Sequence, residues 1–329
     1  MHRRHLCALA LAALAAGAAL PAAAQADYPN RPITLVVGYP PGGSVDLVAR
    51  TIGPELSRRL GQPVVVENVG GAGGTIGAQK VARAAADGYT LLVGSNNEMA
   101  IGKLVNPSLR YDPQRDFTPI GLLATQPMVL VAAPHTKVKS LDDFLRVVKA
   151  SPGRYSYGSS GIGTGLHLAG EMVKESGGLF MVHIPYRGVG PLTNDLLGGQ
   201  LDFGVYVLSS GLPHIRAGSV AAVGVTEARR AAAAPEIPAL AEHASFRKVN
   251  IGIWFGLFAP ARLPAALSAR IGQAFQASIA SPDVRRKLEE AGARPPAPEG
   301  KPDELLAAYQ KIELEKYARV VDFAKIRHE

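Results

Sequence analysis

Two short stretches place glycines and hydroxyls where an apolar strand runs into a helix. The first is YPPGGSVDLVAR, Tyr39 to Arg50, and the second is YGSSGIGTGLHLAGE, residues 157–171. Glycine removes the side chain that would keep a ligand from backbone N–H groups, and the first amides of a helix have no internal partner, so they attract an anion. In the first corner Tyr39 ends the strand, Gly42 and Gly43 clear the approach, and Ser44 is placed to cap the helix. Asp46 sets a negative charge where an anion would arrive. It is either a first-turn acid paired with Arg50 four residues on, or a group that orients a bridging water or a donor on the ligand. In the second corner Ser159, Gly163, Thr164 and Gly165, with Ser160 and Gly161, offer hydroxyls and open amides. Charge-assisted hydrogen bonds contribute roughly 1.5–3 kcal/mol each. A few of them could hold a carboxylate without any arginine.

Signatures of reaction chemistry are missing on specifics. No G-x-x-x-x-G-K-[ST] occurs, which removes the phosphate-binding P-loop. Ile76 in GGAGGTIG and Leu166 in GIGTGLHL stand where a dinucleotide fingerprint needs its third glycine. Neither GGSVD nor GSSGI is a G-x-S-x-G nucleophile elbow, and no His/Cys/Asp/Glu group has metal-ligand spacing. His167 and His183 read as structural. No catalytic residue, metal ligand or cofactor is assigned.

The elements that must carry these corners alternate. ITLVVGY is an apolar, β-branched run that reads as a buried parallel strand, and Val45, Val48, Ala49, Ile52, Leu56 and Leu60 follow at helical spacing. A strand PVVVENV, a glycine loop opening a helix that Gly88 closes, and a strand YTLLVGS come next. From about Pro127 strands and helices alternate again as far as AAVGVT, residues 221–226. Such alternation predicts open α/β sheets, with ligands beyond the carboxyl ends of strands. The stretch NIGIWFGLFAPARLP, with the sole tryptophan Trp254, precedes two helical stretches, residues 265–280 and 302–325, which need a sheet to cover. The reading is two domains, residues 27–124 with 253–329 and residues 125–252, joined by a two-stranded hinge that closes over a ligand.

The opening MHRRHLCALALAALAAGAALPAAAQA has the charged start, apolar run and small-residue end of a cleaved signal peptide, residues 1–26. The one cysteine, Cys7, lies inside it, so stability must come from a core and not from disulfides. Roughly 300 further residues of a chain that is 47% hydrophobic are enough for one. Taking Arg3 and Arg4 from the +8 of the whole chain leaves +6. Dispersed charge and only 6% aromatic residues argue against a nucleic-acid surface. The expected product is a monomer exported to the periplasm.

With their surroundings, YPNRPITLVVGYPPGGSVDLVAR, VVVENVGGAGGTIGA, YDPQRDFTPIGLLA, YSYGSSGIGTGLHLAGE, HIPYRGVGPLTNDLLGGQLD, LPHIRAGSVAAVGVTEARR and WFGLFAPARLP run in order along nearly the whole chain after the signal. Together they resemble the Bug (TctC-like) family of extracytoplasmic solute receptors. The resemblance implies a type II periplasmic binding protein that closes on a small carboxylated solute. It also implies that Gly42 to Asp46 and Ser159 to Gly165 act as a pincer on one carboxylate, partly through ordered water. The implied partners are the membrane subunits of a tripartite tricarboxylate transporter, or a sensor protein. The chain departs from the family where Asn96, Asn97, Glu98 and Met99 replace a small-residue segment, and where Tyr206 replaces an aspartate. Glu98 is then expected either to accept from an ammonium or hydroxyl on the ligand or to sit as a rim glutamate in water. Tyr206 is expected to line the distal pocket, and Tyr186, Val189 and Gly190 are further candidate walls.

Overall fold

The computed structural model describes residues 28–297, 300–324 and 326, so the expected signal segment lies outside the described residues. Strand β1, Ile33–Val37, is almost wholly buried and leads through the first corner into helix α1, Ser44–Leu60. The apolar side chains that set the helical spacing, from Val45 to Leu60, are the buried face of α1. Gly61, in the left-handed region at φ 76°, ends it. Strand β2, Val64–Asn68, helix α2, Thr75–Ala82, and strand β3, Thr90–Ser95, follow. Both β2 and β3 run parallel to β1. A π-turn, Asn97–Ile101, and a short helix α3, Gly102–Val105, close this part.

The glycine-rich loop before α2 is explained by close packing. A Cβ on Gly74 (φ 94°) would stand 2.7 Å from a Glu98 oxygen, and one on Gly77 would stand 2.8 Å from the Gly38 Cα. Helix α2 stops at Ala82, short of the Gly88 that the sequence suggested.

Strand β4, Phe117–Ala132, is the long element of the molecule. After it come α4 Leu141–Ala150, β5 Ser156–Ser159, α5 Gly165–Gly177, β6 Val182–Pro185, α6 Val189–Leu197, β7 Phe203–Val207, α7 Leu208–Arg216 and β8 Ala221–Val225. Strand β9, Gly252–Pro260, returns, followed by α8 Ala265–Ile279, α9 Pro282–Glu290 and α10 Pro302–Ala324. The sequence reading had no α9 and began β4 near Met128. Prolines 119 and 127 hid its first half, and two irregularities of register, at Pro119/Gly121 and Leu122/Ala124, accommodate it.

The strand order is β2-β1-β3-β9-β4-β7-β5-β6, with β8 on β4. One half of the sheet system, β2-β1-β3-β9, takes the first half of β4, which pairs with β9 from Phe117 to Pro127. The other half takes Met128–Ala132, between β7 and β8. Both β4 and β9 run antiparallel to their neighbours, so the sheets are mixed and not purely parallel. The chain leaves the first half at Pro127 and returns opposite it at Gly252, making two adjacent strands the connection. Trp254, fully buried, packs edge-on to Tyr309 of α10 at 6.3 Å. Helix α10 lies against β4, α5 and the π-turn, touching both halves.

Candidate ligand-binding site

The first corner is held from below by one carboxylate. Asp46, 3% exposed, accepts from the Gly42 amide at 3.0 Å, from Asn68 Nδ2 at 2.9 Å and from Arg50 Nε at 2.9 Å. Burial works to raise its pKa; the hydrogen bonds from Arg50, Gly42 and Asn68 outweigh that and hold it below the ordinary value. The Gly42 amide is therefore turned inward. Ser44 does not cap α1, because it already occupies the first helical position; Gly43 is the cap residue and no side chain fills the role. The amides of the first turn are left open to the space in front of them.

The second corner spends most of its polar groups on itself. Thr164 caps α5 by accepting from the His167 amide and donates to the Gly161 carbonyl at 2.8 Å. Ser159 lies 2.7 Å from His183 Nε2, and the Gly163 amide donates to His167 Nδ1 at 3.1 Å. The two imidazoles stack at 3.9 Å. Burial lowers His167 to about 4 and His183 to about 3, so both are neutral at pH 7. Gly165 donates its amide to Asn97 Oδ1 at 2.7 Å, while Asn97 Nδ2 donates to the Tyr39 hydroxyl at 2.7 Å. Asn97 thus clasps the two halves together.

Between the halves lies a cavity of about 70 Å³. Tyr39, Gly43, Ser44 and Asn97 line it, as do Ser160, Leu166, Gly188, Val189, Gly190, Val207 and Ile253. None of its lining side chains is charged. Two uncapped helix starts open on it: α1, and α6, whose cap residue Gly188 (φ 104°) also offers no side chain. Of the α6 start, Val189 and Gly190 are among the distal-wall candidates of the sequence, and Gly188 is not. Ser160 is one of the hydroxyls the second corner offers in sequence, whereas Leu166 enters there only as the residue that breaks a dinucleotide fingerprint. Val207 and Ile253 carried no signal beyond apolarity.

Other sequence candidates lie elsewhere. Gly42, Asp46, Ser159 and Thr164 brace the corners, and Gly163 borders a separate groove of about 330 Å³ with Asn97 and Arg187. Tyr206 is not a cavity wall in this arrangement: its hydroxyl reaches Thr193 Oγ1 at 3.1 Å, and it belongs to the core cluster around Leu192 and Leu212. Successive strand residues face opposite sides, so Val207 takes the cavity face. Tyr186 is likewise turned away, onto Asp195 at 2.9 Å. Glu98 is neither on the rim nor in the cavity. It is fully buried, with Oε1 on the Ser95 amide at 2.6 Å and Oε2 near Ser95 Oγ and Tyr39. Burial, and then the neighbouring Glu98, raise the Tyr39 pKa well above its ordinary value, so the phenol stays neutral.

A model of the tripartite tricarboxylate transporter family receptors matches residues 48–321. The chain belongs to this family. Among solved structures it is similar to the periplasmic binding protein BugD, at 32% identity over 92% of this chain and 100% of that one, with a TM-score of 0.87. An R. palustris protein solved with adipate is 31% identical, covering 92% and 99%, with a TM-score of 0.87. MatC from Rhodopseudomonas palustris with bound malate is 33% identical, covering 89% and 100%, with a TM-score of 0.83. The fold of this family member is the type II periplasmic binding protein fold, two α/β domains joined by a two-stranded hinge. Among the described residues no helix is long and apolar enough to cross a membrane.

Proposed function

We propose that the protein is an extracytoplasmic receptor that captures a small carboxylate between its two domains and delivers it to the membrane subunits of a tripartite tricarboxylate-type transporter. One observation carries the reading: an uncharged cavity entered by the open amides of α1 and α6, one from each half. Helix starts favour negative charge, and an enclosed, water-poor site strengthens the preference. A cation would meet only the positive ends of two helix dipoles. Adipate and malate in the two R. palustris structures make dicarboxylates of four to six carbons the first class to test. The adjoining strand crossings at Pro127 and Gly252 support residues 27–124 with 253–329 and residues 125–252 as the bodies that close. Release of residues 1–26 on export would leave the receptor in the periplasm as a monomer.

A thermal-shift screen of mono-, di- and tricarboxylates with neutral sugars as controls tests the reading. A ligand at a hundred times its dissociation constant stabilises by about 2.7 kcal/mol. At least one carboxylate should raise the midpoint and the sugars should not; the reverse result would remove the anion site.

A further inference from the structure

Behind the cavity wall the π-turn holds a carboxyl group that touches no ligand space. Glu98 is fully buried, and both oxygens meet only neutral groups: the Ser95 amide at 2.6 Å, Ser95 Oγ at 2.8 Å and the Tyr39 hydroxyl at 3.0 Å. The nearby cations are engaged elsewhere. Lys80 of α2 pairs with Glu67, Lys103 of α3 with Asp112, and Lys316 of α10 with Glu313. Of the other titratable groups packed around the turn, Tyr111 donates to the Glu98 carbonyl, while Tyr317 of α10 bonds to Gly252 O and to Asn96. His167 of α5 faces Gly163 and His183.

The proton count around Tyr39 favours a neutral acid. The Tyr39 hydroxyl has one proton and three close neighbours: the Gly73 carbonyl at 2.7 Å, Asn97 Nδ2 at 2.7 Å and Glu98 Oε2 at 3.0 Å. Asn97 brings its own proton. If Tyr39 donates to Gly73, the contact with Glu98 is a hydrogen bond only when the carboxyl supplies the hydrogen. An ionised Glu98 would compete with the Gly73 carbonyl for a single proton, and whenever Tyr39 turns to Gly73 two acceptor oxygens face each other beside the fully buried carboxyl. A neutral Glu98 satisfies every contact. Burial raises its pKa to about 7, outweighing the bonds from Ser95 and Tyr39 that pull it down.

This network reaches the ligand space and the clasp. Tyr39 and Asn97 both line the cavity, and Asn97 holds Gly165 across the cleft. We propose that Glu98 is a positioning residue that carries a proton in the closed form, so that capture of an anion is coupled to proton uptake. The coupling rests on the carboxylate-receptor reading. An anion in the cavity disfavours a second negative charge behind Tyr39, and by reciprocity an ionised Glu98 disfavours both the anion and the closed clasp.

Two measurements test it. Infrared difference spectra of the ligand-free protein between pH 5 and 9 should show a protonated carboxyl band that disappears near pH 7 and is missing in Glu98→Gln. If no band that depends on Glu98 titrates above pH 6, the proposal falls, whatever the ligand. Calorimetry with adipate and with malate, in buffers of different ionisation heat, should show proton uptake rising toward one per ligand. The affinity should weaken by up to about tenfold per pH unit above neutrality. Glu98→Gln keeps the neutral hydrogen-bonding shape but has no acid proton to lose, so its affinity should be flat over that range. Equal heats in all buffers with wild-type protein, or a wild-type slope in Glu98→Gln, would overturn the coupling. Failure of both probes to bind would count against the ligand reading alone, and the infrared result would still decide the proton on Glu98.

Discussion

Asp46 shows what one side chain can be doing beneath a binding corner. Its negative charge looks misplaced beside an anion site, yet it is consumed by Gly42, Asn68 and Arg50, and the amides in front of it stay free. Asp46→Ala removes the acceptor for a backbone amide and a buried Asn side chain. We expect a loss of about 1–3 kcal/mol in denaturant unfolding. Because its pKa is lowered in the fold, the stability it contributes is present above the ordinary value of 3.8 and is lost as pH falls through the lower folded value. The acid limb of the stability curve should therefore be shallower in Asp46→Ala, and an unchanged limb would show that the clamp is not energetically significant. Glu98 has the opposite sign. Its stabilisation is complete below 4.5 and is lost as pH rises through about 7.

At the scale of elements, helix starts decide the site. Helices α1 and α6 begin at glycines with no capping side chain, whereas α5 is capped by Thr164 and gives its Gly165 amide to Asn97. The second corner is thereby a brace and a clasp more than an open anion cradle. Behind it stands the stack of His167 and His183, both with pKa values lowered first by burial. Their neutral forms contribute stability that is present above 6.5 and lost as pH falls through about 4 and about 3. This works against the Glu98 effect within the same window, so the two are best separated by difference. His183→Phe preserves a ring in the stack but cannot take a proton. Its unfolding midpoint should fall less than that of the wild type between pH 6.5 and 4, and an identical fall in both proteins would refute the assignment.

For the whole molecule, the two halves are connected by adjacent strands and both are touched by α10, and a polar contact crosses at the cavity itself. Asn97, held to Tyr39 within its own half, crosses the cleft through its bond with Gly165. Losing a crossing bond that contributes about 0.5–1.5 kcal/mol should let the ligand-free protein open and weaken ligand affinity by up to roughly tenfold. In Asn97→Ala, small-angle scattering should report a larger radius of gyration without ligand and a wild-type radius at saturation. Equal radii without ligand would mean that Asn97 does not hold the halves.

The alternation of strands and helices, the two small-residue corners and the family resemblance were legible in the sequence because they rest on local causes. These are hydrophobic period, the freedom of glycine, and the need of a helix start for a partner. Phe117–Pro127 was missed as strand because its prolines oppose one locally, and pairing with β9 overrides them. The order of strands, which face of β7 turns inward, and the meeting of α6 with α1 depend on contacts between residues far apart in the chain. Tyr206 and Val207 differ by one position on a strand, and only the sheet's place in the molecule decides which sees the cavity. Glu98 follows the same logic. As a residue type it belongs in water, and it is a buried, neutral-leaning acid because Gly74 leaves room for its carboxyl, Ser95 and Tyr39 receive it, and Asn97 and α10 cover the turn.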